Sequence, residues 1–336
     1  MKNWRTWAGV LISLLCISWL VRGTDPRVLY DTLRRTEYQW LIPAVLLYAG
    51  GMWVRAVRWQ LLLRSSGSVD LGRLFRWSNI GYLINNLAPL RLGDVLRGYL
   101  CSEGAGINLV SVLFTLVVER LADVVALVLI LVALLPRVDL PTRYLAPVLW
   151  IALAAAAAVA VMILVAVRPR WSLDWFDRLA RRFPALDRPW LRRAVHSAVK
   201  GLAVLGSGNS VAGVLGWSLV AWLAAGLQYY WTARSVGLAL PAPAALLLVC
   251  LTSLGMVVPA SPGSLGVIES ITVLTLALFG VGREVALGYA LVLRAVSYVT
   301  LFGLGLVSLW SEGIDPQHLR QALARPTKQQ GDTERE

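Results

Sequence analysis

The 336 residues are 57% hydrophobic and 15% charged, with a mean hydropathy of +0.65. A soluble domain carries about a quarter charged residues, so this composition excludes one and points to a bilayer as solvent. The net charge of +13 does not indicate nucleic acid, because the basic residues sit in loops between apolar runs.

Lys2 and Arg5 precede an apolar run from Trp7 to Val21 that has the outline of a signal peptide. No small-x-small cleavage site follows it, so a retained first span is expected. Clear apolar runs then cover about 7–21, 40–54, 109–135, 145–167, 211–233 and 284–310. Two further apolar regions, 72–106 and 241–282, are broken by Asn85-Asn86-Leu87-Ala88-Pro89 and by Val258-Pro259-Ala260-Ser261-Pro262-Gly263. Pro and Gly interrupt helix hydrogen bonding, and the freed groups need protein or cavity water at membrane depth. Both regions therefore read as re-entrant hairpins, or, for 241–282, as a pair of crossings. The expected fold is an all-α polytopic membrane protein with six to eight spans. One transmembrane domain covers 1–311, and a polar, disordered tail covers 312–336.

Arginine and lysine counts in short loops orient such a chain. Segment 168–200 carries eight Arg and Lys200, and segment 55–76 carries Arg55, Arg58, Arg64, Arg73 and Arg76. Both are expected on the cytoplasmic side of the cell membrane, with both termini. Segment 22–37, with four Arg and three acids, weakens this bias. Only Lys2, Lys200 and Lys328 are lysines. A GC-rich genome accounts for arginine in the loops; within the membrane its planar fork suits phosphate. Cys16, Cys101 and Cys250 show neither metal-ligand spacing nor a disulfide framework, and no cofactor is expected.

The two broken regions resemble each other. Pro89-x-x-Leu92-Gly93 matches Pro262-x-x-Leu265-Gly266, and Arg120 and Arg294 follow the two glycines at nearly equal spacing. This predicts an inverted repeat, about 40–135 and about 211–310, with hairpins entering from opposite sides and a substrate between them.

Arg91, Asp94, Arg97, Glu119, Arg120, Asp123, Glu269 and Arg294 lie within or beside apolar cores. An Asp or Arg at a helix centre costs about 2.5–3.5 kcal/mol, so the three charges of helix 109–135 cost on the order of 8–10 kcal/mol together. They are expected to face a protein-lined, hydrated cavity; a buried ion pair locking two helices is the alternative. Thr115, Glu119 and Asp123 share one face, and Arg120 and Asp123 are spaced to pair. Helix starts after Pro89 and Pro262-Gly263 would aim N–H groups at a phosphate. Asn85 and Asn86 could donate to it or cap the hairpin. The candidate substrate-binding set is Asn85, Asn86, Pro89, Arg91, Asp94, Arg97, Glu119, Arg120, Asp123, Pro262, Gly263, Gly266, Glu269 and Arg294.

Four elements carry a family resemblance. They are Arg55-x-x-Arg58-Trp59, Asn86-x-x-Pro89-x-Arg91-x-Gly93-Asp94-x-x-Arg97, Glu119-Arg120-x-x-Asp123 and Pro262-Gly263-x-x-Gly266-x-x-Glu269. The chain resembles the flippase-like, or lysylphosphatidylglycerol synthase transmembrane, family over about 5–310. Asp94, where Glu is more usual, and Ser264, where a second Gly is common, depart from the pattern without reversing a charge. The resemblance implies movement of a phospholipid or polyprenyl lipid-phosphate between leaflets. It leaves open which lipid is moved, whether the chain forms a homo-oligomer, and whether it partners a lipid-synthesis enzyme. No fused synthase domain is expected within the 336 residues.

No Walker A sequence is present, so ATP hydrolysis is not expected. A membrane transferase is disfavoured: His196 and His318 lie in polar segments, and no Asp-x-Asp pair occurs. A secondary transporter of a small anionic solute is the main alternative.

Overall fold

The computed structural model describes residues 13–20, 22, 24–64, 66–87, 92–137, 157, 164, 168–182, 208–255 and 262–313. Pro89 and Arg91, the expected span 145–167 apart from two residues, all of segment 183–207 and the expected tail beyond 313 lie outside them. The described residues are helical, with no strand among them.

The helices are α1 (Pro26–Arg34), α2 (Leu41–Leu63), α3 (Leu71–Leu87), α4 (Leu92–Ala105), α5 (Leu109–Leu134), α6 (Pro169–Arg182), α7 (Gly208–Ser235), α8 (Ala242–Gly255), α9 (Val267–Ala277) and α10 (Arg283–Ser311). Residues 13–20 are also helical. Tyr38–Leu63, Ser210–Ser235 and Arg283–Ser311 are long and apolar enough to cross a bilayer. Helix α5 is equally long at 26 residues, but Glu119, Arg120 and Asp123 sit at its middle.

The first finding concerns α2. The apolar run ends at Val54, yet the helix continues to Leu63. Arg55 and Arg58 are therefore inside a span and not in a basic loop. The segment 55–76 loses two of its five arginines as an orientation signal, which leaves 168–200 as the main one.

The broken regions are hairpins. Helices α8 and α9 have 14 and 11 residues, about 21 and 16 Å at 1.5 Å per residue. Over the described residues each is shorter than a hydrocarbon core of about 30 Å, which favours a re-entrant 241–282 over a pair of crossings. Helices α3 and α4 pack so closely that a Cβ on Gly93 would come 1.8 Å from the Gly81 carbonyl oxygen. Only glycine fits there.

Directions follow from end-to-end contacts. Trp40, before α2, stacks on Trp231 near the end of α7, with centroids 5.2 Å apart. Trp59, Leu62 and Leu63 at the other end of α2 pack with Val211, Val214 and Leu215 at the start of α7. These two helices are antiparallel. The base of the first hairpin packs beside the α2 C-terminus through Val69, Leu74 and Cys101. The base of the second packs beside the α7 C-terminus through Ala233, Leu240, Ala244 and Leu276. The hairpins thus enter from opposite sides, and the single turn Pro262–Ser264 at the second tip packs against α3.

Packing obeys the same two-fold rule. Helix α2 meets α3 as α7 meets α8; α4 meets α5 as α9 meets α10; α5 meets α7 as α10 meets α2; α10 meets α3 as α5 meets α8. The α2–α7 pair lies on the axis. The chain is an inverted repeat.

Candidate functional site

Helix α5 turns Thr115, Glu119 and Asp123 towards protein. Thr115 accepts a hydrogen bond from Trp59 Nε1 at 2.9 Å. Glu119 is 0% exposed and Asp123 5%. The guanidinium of Arg58, also 0% exposed, lies 2.5 Å from Asp123 and 3.2 Å from Glu119, and donates to Ser218 of α7 at 2.8 Å. Arg97 of α4 lies 3.1 Å from the same Glu119 oxygen, over the rings of Trp59 and Tyr82. The Tyr82 hydroxyl is 3.4 Å from both Glu119 and Arg97. Asp123 also accepts from Trp222 Nε1 at 3.1 Å and lies 3.6 Å from Arg55.

This layer corrects one expectation. Glu119 and Asp123 do not line a hydrated cavity; they are packed against α2, α4 and α7 in ion pairs. Arg97, expected to meet substrate, belongs to the same sealed layer. The expected Arg120–Asp123 pair is loose at 3.9 Å.

Arg120 leads to a more open layer. Its side chain is 37% exposed and pairs at 3.1 Å with Asp94, which is 20% exposed. Asp94 is held by Asn85 across the hairpin, the Asn85 amide donating to its carboxylate at 3.1 Å while its own N–H donates to Asn85 Oδ1. Asn86 turns back and donates to the Tyr82 carbonyl. Asn85 therefore braces the first hairpin, while Asn86 bonds back within α3.

The second repeat carries a counterpart. Arg294 of α10 pairs with Glu269 of α9, as Arg120 of α5 pairs with Asp94 of α4. Arg294 also donates to the Gly263 and Ser264 carbonyls and to the Tyr298 hydroxyl. Gly263 and Gly266 have φ of +71° and +82°, which favour glycine. The N–H of Gly266 donates to Glu269 at 2.8 Å, so an acid of the chain itself already occupies the expected phosphate position at the start of α9. Pro262 opens the turn at this tip.

The described part of the first network holds Arg55, Arg58, Arg97 and Arg120 against Asp94, Glu119 and Asp123, one positive charge in excess. The Nε atoms of Arg58, Arg97 and Arg120 and Oε2 of Glu119 are buried without a hydrogen-bond partner. Sequence reasoning missed Arg55 and Arg58 as site residues, and Tyr82, Trp222 and Tyr298 as their partners. The signal for the first two was available: apolar residues resume at Ala56 and run to Leu63, so Arg55 and Arg58 share a face of one continuing helix.

A transmembrane inverted repeat with hairpins latched by arginine has known relatives. The model of the lysylphosphatidylglycerol synthase TM region matches residues 6–305. The chain belongs to this family. It is similar to a UPF0104 membrane protein of Methanothermobacter thermautotrophicus, 22% identical over 318 residues, covering 89% of this chain and 93% of the relative. It is also similar to UPF0104 membrane protein MJ1078 of Methanocaldococcus jannaschii, 25% identical over 226 residues, covering 66% of this chain and 91% of the relative. Membership makes this a membrane protein of a lipid-related family.

Proposed function

We propose that this protein moves a lipid with an anionic phosphate head group between the leaflets of the cell membrane, as a flippase or scramblase. The observation that carries the reading is the unbalanced charge of the first network. Among the described residues, four guanidinium groups against three carboxylates inside an apolar bundle favour an added anion. The reachable member is Arg120, whose side chain is 37% exposed and whose carboxylate partner sits on the hairpin. A phosphate displaces Asp94 from Arg120 through planar, bidentate contacts and loosens the more open of the two ionic contacts between the hairpin and α5, while Arg97 and Glu119 stay paired. Arg294 and Glu269 repeat the arrangement on the other hairpin, which enters from the other side. The same chemistry then serves each leaflet in turn. The arginine excess of 168–200 supports placing that segment and both termini in the cytoplasm.

The test is leaflet exchange of fluorescent phospholipids in liposomes holding the purified protein. Arg120→Ala is expected to slow exchange about 100-fold, the loss of a charge-assisted pair of hydrogen bonds, without loss of folded protein; Arg294→Ala should slow it too but also lower the melting temperature, because it leaves the buried Glu269 unpaired. Arg120→Lys should recover little, because an ammonium lacks the fork. Folded Arg120→Ala protein that exchanges lipid at the wild-type rate would remove this site from the reading.

A further inference from the structure

A second surface suited to lipid lies outside both charged networks, on α6. Arg168, Trp171, Trp175, Arg178 and Arg182 recur at spacings of 3, 4, 3 and 4, which places them in one row along the helix. Arg168 precedes α6 but keeps its register, because its carbonyl accepts from the Ser172 N–H at 3.0 Å. All five side chains are exposed, Trp171 by 48% and Trp175 by 54%. The row carries three arginines and no acid. Asp174 and Asp177 fall on the next row, between Arg170 and Arg181, and Arg181 donates to the Asp177 carbonyl at 3.2 Å. A third face, with Ser172 and Ala180, is packed, at 8% and 1% exposure. One face of α6 is thus buried, one balances its charges, and one sets two large rings between uncompensated cations.

The neighbouring chain sets the depth of this row. The apolar run 145–167, expected to span, ends one residue before Arg168. The Arg168 N–H donates to the Leu164 carbonyl at 2.9 Å, which joins the row to the end of that run. Pro169 has no N–H to continue the same helix and opens α6 instead. The start of α6 therefore stands at head-group level. Tryptophan rings settle at that level, and arginine forks onto phosphate. We infer that α6 lies along the membrane surface and binds anionic phospholipids of that leaflet, with Trp171 and Trp175 among the head groups and Arg168, Arg178 and Arg182 on the phosphates. The joint to an apolar run selects lipid over a soluble acidic partner. Binding on this row does not depend on the transport reading.

The test is fluorescence quenching of the full chain, in a background free of Cys16, Cys101 and Cys250. A fluorophore is attached at Trp171→Cys on the row, or at Arg170→Cys on the charge-balanced face. The vesicles hold phosphatidylglycerol and phosphatidylcholine in equal parts, and one or the other carries a nitroxide near its head group. The label at 171 is expected to be quenched about threefold more by spin-labelled phosphatidylglycerol than by spin-labelled phosphatidylcholine. The label at 170 should stay open to a neutral aqueous quencher. Arg168→Gln, Arg178→Gln and Arg182→Gln together, all at exposed positions, should bring the two lipids level. Arg120→Ala should leave every reading unchanged, which separates this surface from the transport site. A label at 171 reached by the aqueous quencher and by neither lipid means that the row faces water or a soluble partner, and overturns the proposal. Equal quenching by both lipids with the arginines in place means insertion without selection, and overturns the assignment to anionic lipid.

Discussion

Arg58 and Arg120 carry the same charge into the same bundle and have opposite prospects. Arg58 has no contact with solvent and holds Asp123 and Glu119 from different sides of one guanidinium. Its removal leaves two buried carboxylates short of a partner, a loss of about 3–5 kcal/mol. Arg58→Ala is therefore expected to melt well below wild type in detergent, and Arg58→Lys to restore little, because one ammonium cannot span both acids. Arg120 is partly exposed, so its pair with Asp94 contributes about 1 kcal/mol or less and Arg120→Ala should melt close to wild type. Equal melting of the two variants would contradict the division into a sealed and a reachable layer. That division was not legible in the sequence. Hydropathy shows that a charge is expensive at membrane depth, but the choice between an ion-pair partner and a substrate depends on neighbours from other helices. Arg97 shows this: it reads as a substrate contact beside the hairpin, and the fold seals it under Trp59 and Tyr82.

The hairpins were legible because proline and glycine leave a local signature that tertiary structure seldom overrides. Asn85 to Pro89 and Pro262-Gly263 mark both tips, whereas the sequence left 241–282 open between a hairpin and two crossings, and the short helices on either side favour the hairpin. The end of α2 was hidden for the converse reason. Arg55 and Arg58 lower the local hydropathy and mimic a basic loop, although helix propensity continues through Trp59 to Leu63. The opposite entry of the hairpins makes a prediction about their bases. In a background free of Cys16, Cys101 and Cys250, Ala239→Cys should react with an impermeant thiol reagent from outside intact cells. Ser68→Cys, at the base of the first hairpin, should react only after permeabilisation. Reaction of both from one side would contradict opposite entry, and exchange of the two results would reverse the proposed orientation.

At the scale of the molecule, a five-residue likeness and an arginine spacing foretold a two-fold rule that the contacts among α2 to α5 and α7 to α10 then obey. The Arg–acid latch repeats with position, but the buried ionic layer of Arg58, Arg97, Glu119 and Asp123 has no counterpart among the described residues of the second repeat. The sequence alone left this asymmetry unresolved, because Arg58 and Arg55 were counted outside the membrane. It also bears on biogenesis. The three charges of α5 oppose its partition from the translocon as a lone segment, at a cost on the order of 8–10 kcal/mol. Arg58 and Arg97, which neutralise its acids, lie on α2 and α4, and both emerge from the ribosome before α5 does. The nascent chain thus supplies counter-charges ahead of the helix that needs them, and α5 should enter the bilayer against already inserted neighbours. In glycosylation mapping of chains truncated after residue 140, Arg58→Ala with Arg97→Ala should lower the fraction of α5 that spans. An unchanged fraction would mean that α5 inserts unaided, and that its ion pairs form only after synthesis is complete.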